Sequence, residues 1–127
     1  MGQVKFIFLC VIFSLTACSP HLVENDLFGK YIISTNTGTD VIELKSNGVY
    51  IHSHSIKDDS TQQQQDSWKL EILQAGPTVV LDNFQNLFEE KSGTQNSYTY
   101  LLLVQKNFWS IYLITNIDLN TGYQKQS

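Results

Sequence analysis

Residues 41 to 55 read VIELKSNGVYIHSHS, two β-branched runs on either side of a three-residue turn that ends in glycine. A loop of that length suits a type I turn closed by a left-handed residue, a common hairpin solution, because glycine takes positive φ without steric cost. The pattern recurs along the chain. Lys30 to Thr35 leads into the turn residues Asn36-Thr37-Gly38-Thr39, and Trp68, Leu70 and Ile72 alternate with Lys69, Glu71 and Leu73 at a strand's period of two. Gly76-Pro77 turns the chain into Thr78 to Leu81. Tyr98 to Gln105 and Phe108 to Thr115 flank Lys106-Asn107, and Tyr123 to Lys125 adds an edge piece. Short strands joined in sequence by tight connections predict an all-β, mainly antiparallel domain, an up-and-down meander closed as a small barrel or folded as a sandwich. Closure removes the exposed edges that invite pairing between chains.

Two stretches depart from this pattern. Lys57 to Asp66, KDDSTQQQQD, is polar throughout and predicts a mobile hairpin tip, since it holds too little apolar surface to order itself. Asp82 to Lys91 spaces Phe84, Leu87 and Phe88 at helical intervals, with Asp82 placed to cap the start and Ser92-Gly93 to end it. Either a short helix near 83–91 or an irregular loop fits.

The amino terminus is a different kind of segment. Lys5 precedes Phe6 to Leu15, apolar except for Ser14, which is too short to span a bilayer and has the length of a signal-peptide core. Leu15-Thr16-Ala17-Cys18 resembles the lipobox of bacterial lipoproteins. That resemblance implies a helical signal peptide over residues 1–17, cleavage between Ala17 and Cys18, and a diacylglyceryl group on the Cys18 sulfur with a further acyl chain, such as palmitate, on its new amino group. Several chains together hold a protein at a membrane where one would not. Ser19 follows the cysteine, whereas an aspartate there favours inner-membrane retention in diderm bacteria. The resemblance therefore implies the periplasmic face of the outer membrane. Residues 18–26, including Pro20 and His21, read as a short tether, and residues 27–127 as a single β domain.

Composition narrows the function classes. Cys10 leaves with the signal and Cys18 is acylated, so thiol catalysis, thiolate metal sites and disulfides are excluded from the mature domain. The chain carries a net charge of −4, all 8 of its basic residues are lysines, and losing Lys5 makes the mature protein more acidic still. Nucleic-acid binding needs a basic face and favours arginine, so that partner class is excluded. No phosphate-cradling glycine loop and no nucleophile with a recognisable base is present, which points away from an enzyme and implies no cofactor.

A second resemblance covers about Leu27 to Phe84. Gly29-Lys30-Tyr31, Ile42-Glu43-Leu44 leading through Gly48-Val49-Tyr50, Trp68, and Val80-Leu81-Asp82-Asn83-Phe84 look like the small lipocalin-like domains of bacterial envelope lipoproteins. The resemblance implies an up-and-down barrel opening on a glycine-x-aromatic strand.

Four groups of residues are candidates for chemistry. His52 and His54, two apart in a strand, share a face with Tyr50 and could hold zinc if Asp58, Asp59 or His21 supplied a further ligand. The competing expectation is a solvated outward face. Asp118 to Gly122 has the oxygen side chains of a calcium loop but lacks its closing glutamate, so it reads as an Asn-Thr-Gly turn. Glu89, Glu90 and Asp82 are carboxylates of a solvated face. Among the aromatics, Tyr50, Trp68 and Trp109 are candidate contacts for an apolar ligand or a protein partner, against a default of core filling. These features predict a lipid-anchored envelope protein with a non-enzymatic binding or interaction role, its contacts being the membrane through Cys18 and an envelope protein. The alternative is a lipocalin-like carrier of a small apolar ligand.

Overall fold

The computed structural model describes residues 22–36, 38–56, 61–87, 96–116 and 121–127. Eight strands run in chain order: β1 (Gly29–Ser34), β2 (Gly38–Leu44), β3 (Val49–Ile56), β4 (Thr61–Leu73), β5 (Gly76–Gln85), β6 (Ser97–Lys106), β7 (Ile111–Asn116) and β8 (Thr121–Lys125). The turn between β2 and β3 forms as its chemistry dictates. Gly48 takes φ 80°, its N–H donates to the Lys45 carbonyl at 3.2 Å, and the Asn47 side chain accepts from the Val49 N–H.

Each strand pairs antiparallel with the next, and β8 returns to β1 with Tyr31 opposite Lys125 and Ile32 opposite Gln124. The sheet is a closed eight-stranded barrel rather than a sandwich, consistent with a lipocalin-like architecture. Tyr123 to Lys125 is therefore no edge piece; with Thr121 and Gly122 it forms the strand that closes the barrel. Gly122 permits this: a Cβ there would stand 2.5 Å from the Leu113 carbonyl oxygen of β7.

Alternation fills the interior. Tyr31, Ile42, Leu44, Tyr50, Val79, Leu81, Leu102 and Leu113 point inward and are buried. Lys30, Glu43, Gln63, Gln65, Lys69 and Glu71 alternate with inward residues on the outer face. Among the described residues no helix is long and apolar enough to cross a membrane.

One end of the barrel is plugged. Glu24–Leu27 forms a single 3-10 turn, Leu27 is buried, and its carbonyl accepts from the Tyr31 hydroxyl at 2.7 Å. Phe28 meets Trp68 edge to face at 6.1 Å between centroids, and the Trp68 indole donates to the Lys45 carbonyl at 2.9 Å. Asp26 pairs with Lys106 at 3.0 Å and its carbonyl accepts from the Lys125 ammonium. The end of the stretch expected to be tether is thus part of the domain, because Leu22 and Leu27 are apolar enough to cap the core.

The structure corrects three further expectations. Thr61 to Asp66 is strand, paired along β3 from Ser55 opposite Thr61 to Val49 opposite Ser67, not a hairpin tip. A polar run lacks the apolar surface to order itself, but here the neighbouring strand supplies the ladder and a polar interior receives every second side chain. Asp82 to Gln85 belongs to β5 and is not helical; residues 88–91 of the expected helix lie outside the described residues. β5 bulges between Leu81 and Phe84, with Asn83 at φ 49°, so these two residues, three apart, are both buried and a helix-like spacing appears within a strand. Phe108 and Trp109 lie in the β6–β7 turn rather than in a strand, since Asn107 folds the turn by accepting from the N–H groups of Trp109 and Ser110.

Candidate functional site

Parity in β2, β3 and β4 determines the interior site. Asp40 stands two residues before Ile42 and four before Leu44, so it faces inward with them. His52 and His54 share the parity of Tyr50, and Gln62, Gln64 and Asp66 that of Trp68. Register then brings Asp40 opposite His54. Asp40, His52 and His54 are each 1 % exposed, so the expected outward face for the histidines is overturned. The run HSHS gives no sign of which alternate set faces the core; the barrel decides it through Tyr50 and Ile42.

The Asp40 carboxylate is the hub. It accepts from His52 Nε2 at 2.8 and 2.9 Å and from His54 Nδ1 at 3.2 Å, and from the Tyr123 hydroxyl of β8. His52 Nδ1 lies 3.3 Å from Gln64 Oε1. Gln64 is itself oriented: Oε1 accepts from the Gln85 N–H at 2.6 Å and Nε2 donates to the Asn83 carbonyl at 3.0 Å. Both ring nitrogens of His52 therefore face side-chain oxygens. Gln64 also bridges β4 to β5 at the bulge, where the main-chain ladder between them has stopped at Trp68 opposite Leu81.

Aromatic rings wall the network. Phe84 stacks on His52 at 4.4 Å between centroids and 19° between planes, and packs against Tyr100 at 4.8 Å and Tyr98 at 5.8 Å. The Tyr50 hydroxyl donates to the Asp82 carbonyl at 2.6 Å. Burial, and then the Asp40 charge, push the Tyr123 phenol well above its ordinary value; burial followed by Asp66 and Asp82 does the same for Tyr50. Among the described residues no buried side-chain nitrogen or oxygen lacks a hydrogen-bond partner.

The other sequence candidates divide. Tyr50 and Trp68 are buried parts of the wall and plug, whereas Trp109 is 92 % exposed. Asp82 accepts from the Ser67 hydroxyl at 2.8 Å. Ala17, Cys18, His21, Asp58, Asp59, Glu89, Glu90 and the stretch from Asp118 to Asn120 lie outside the described residues. Among the described residues no group of three His, Cys, Asp or Glu side chains is arranged to hold a metal ion. Sequence reading missed Asp40, Gln64 and Tyr123. The signal for the first two was available, as each occupies a core-parity position in a run that continues into Ile42 or Trp68.

On the outer face, an apolar groove of about 210 Å³ runs between Leu73, Thr78, Leu101, Leu103 and Ile114. A more polar one of about 700 Å³ crosses β8 above Gly122, between Ile32 and Tyr112. No family model, curated protein or solved structure matches the chain, so the functional reading rests on these residues themselves.

Proposed function

We propose that this chain is a lipid-anchored protein of the bacterial cell envelope, held through Cys18 at the periplasmic face of the outer membrane, with a non-enzymatic binding or interaction role. A closed β-barrel suits that role as a rigid frame. The observation that carries the reading is the contrast between a filled interior and a bare apolar rim: Tyr31, Ile42, Leu81 and Leu102 at 0 % exposure against Trp109 at 92 %. Protein interfaces draw much of their affinity from exposed aromatic anchors of this kind. The non-enzymatic part is supported by the Asp40–His52 pair. It is the natural acid–base candidate among the described residues, yet it is sealed from solvent, and general catalysis needs hydrogen-bond reach to a substrate.

A second reading, a carrier of a small apolar ligand, draws on the ring cluster of Phe84, Tyr98 and Tyr100, because Tyr98 is 46 % exposed beside it. Native mass spectrometry of the protein released gently from its own envelope separates the two. A co-purifying protein supports the interaction role, and a retained small molecule replaces it with the carrier. In the same cells, Cys18→Ser is expected to abolish fatty-acid labelling; a labelled variant of unchanged mature mass overturns the anchor.

A further inference from the structure

The most exposed apolar side chains, apart from Leu101 in mid-strand and Tyr98 and Ile56 at the far end, gather at one end of the barrel. Phe108 and Trp109, 80 % and 92 % exposed, form the tip of the β6–β7 turn; Ile72, 75 % exposed, stands beside the β4–β5 turn; Val23, 50 % exposed, precedes the 3-10 turn. Because successive strands alternate in direction, all four lie at one end, the end plugged by Leu27. An open groove of about 430 Å³ runs beside the tip between Phe108, Trp109, Lys106 and Lys125.

The chain enters at this same end. Leu22, the first described residue, packs against the core and is separated from Cys18 only by Ser19, Pro20 and His21, a reach of roughly 14 Å when extended. A lipid on Cys18 would hold this end against the bilayer, within the depth of the headgroup layer.

We propose that the plugged end of the barrel rests on the phospholipid surface, with Phe108 and Trp109 inserted at the level of the headgroups. The proposal rests on the reading of Cys18 as the lipidated residue. Indole and phenyl rings partition to that level because an apolar body and, for tryptophan, a polar N–H match the gradient from hydrocarbon to water. The tip is preorganised for it. Asn107 Oδ1 accepts from the N–H groups of Trp109 and Ser110 at 2.9 and 2.8 Å, so insertion orders little that is not already ordered.

Charge favours the same orientation. At the plugged end Lys30 stands opposite Glu43 and Lys69 pairs with Glu71, leaving this surface close to neutral. The segments joining strands at the opposite end carry Asp58, Asp59, Glu89, Glu90 and Asp118 in the sequence against Lys57 and Lys91. An acidic protein beside an anionic leaflet is repelled least when that end points away. The aromatic cluster around Phe84 then faces the periplasm.

The test uses the full protein extracted from the membranes of producing cells and reconstituted into phosphatidylethanolamine and phosphatidylglycerol vesicles with brominated acyl chains. Intact mass reports the lipid on Cys18, and tryptophan quenching reports depth. Trp109→Phe supplies the emission of the buried Trp68 for subtraction. The expected result is a blue-shifted Trp109 component, lost more strongly to bromine near the headgroup than near the chain end. Phe108→Ser is expected to weaken that loss while leaving the Trp68 emission unchanged. A lipid on Cys18 with Trp109 unquenched overturns the docking and leaves the anchor standing, and points the tip toward a protein or a second copy. No lipid with Trp109 quenched overturns the anchor and keeps the docking as an autonomous property of the tip. Neither signal overturns both.

Discussion

The hydroxyl of Tyr123, on the last strand, donates to the carboxylate of Asp40, on the second, inside a barrel whose first and last strands are held by the short β1–β8 pairing. This contact spans most of the sequence and ties the closing strand to the polar hub. Tyr123→Phe leaves that carboxylate one donor short and is expected to destabilise the domain by about 1 to 3 kcal/mol. Asp40→Ala, which strips three donors of their common acceptor, costs more, about 3 to 5 kcal/mol. Urea unfolding of both and of the double variant checks this, and additive losses would show the two groups to be independent.

Tyr31, Tyr50 and Tyr123 all have phenols pushed above their ordinary value of 10.0, by burial first and by nearby carboxylates second. For such groups the neutral form belongs to the folded state, so their contribution is complete below pH 10 and is lost as pH rises beyond it, where the unfolded chain ionises first. Absorbance of tyrosinate is expected to report fewer than the 6 tyrosines while near-ultraviolet circular dichroism stays native, with the remainder ionising as it collapses. Ionisation of all of them in a native barrel would contradict the burial.

Asp26 behaves with the opposite sign. The Val23 N–H first and the Lys106 ammonium second hold its carboxyl below the usual 3.8. Its stabilising effect is therefore present above pH 3.8 and is lost as pH falls through the lower folded value. Asp26→Asn is expected to lower the urea midpoint at neutral pH and to flatten the acid limb of stability against pH, while an unchanged acid limb assigns that limb to other carboxylates.

Gln64 replaces a missing rung of the ladder beside the β5 bulge. Gln64→Ala leaves the Gln85 N–H and the Asn83 carbonyl without their partner and is expected to cost about 1 to 2 kcal/mol. Hydrogen exchange provides the local readout: the Gln85 amide exchanges faster in the variant, and the amides of β2 do not change.

His52 Nε2 lies 2.8 Å from Asp40 and its Nδ1 3.3 Å from Gln64, while His54 Nδ1 lies 3.2 Å from Asp40, all within the barrel. A metal ion entering there would have to displace those partners from a sealed interior. Zinc is accordingly expected to leave the melting temperature unchanged. A zinc-dependent rise that disappears in His52→Ala or His54→Ala would instead make the pair ligands.

By itself the sequence determined the class of fold. Glycine after Ser46-Asn47, the period of two around Trp68 and the turn residues between short apolar runs are local signals, and local backbone sterics decide what they form. Closure was a tertiary matter. Whether eight strands form a barrel depends on Tyr31 meeting Lys125 at the far end of the chain, which no window of sequence contains. Tertiary structure alone also decided the fate of the polar residues. The four glutamines from Gln62 to Gln65 carry no apolar drive to order, yet β3 pairs with them, and Gln64 turns toward His52 and Gln85 because a buried polar interior rewards a residue able both to donate and to accept. In the same way, alternation in HSHS allowed either face. Only packing of Tyr50 and Ile42 into the core turned His52 and His54 inward to Asp40, where desolvation demands that each polar atom find a partner.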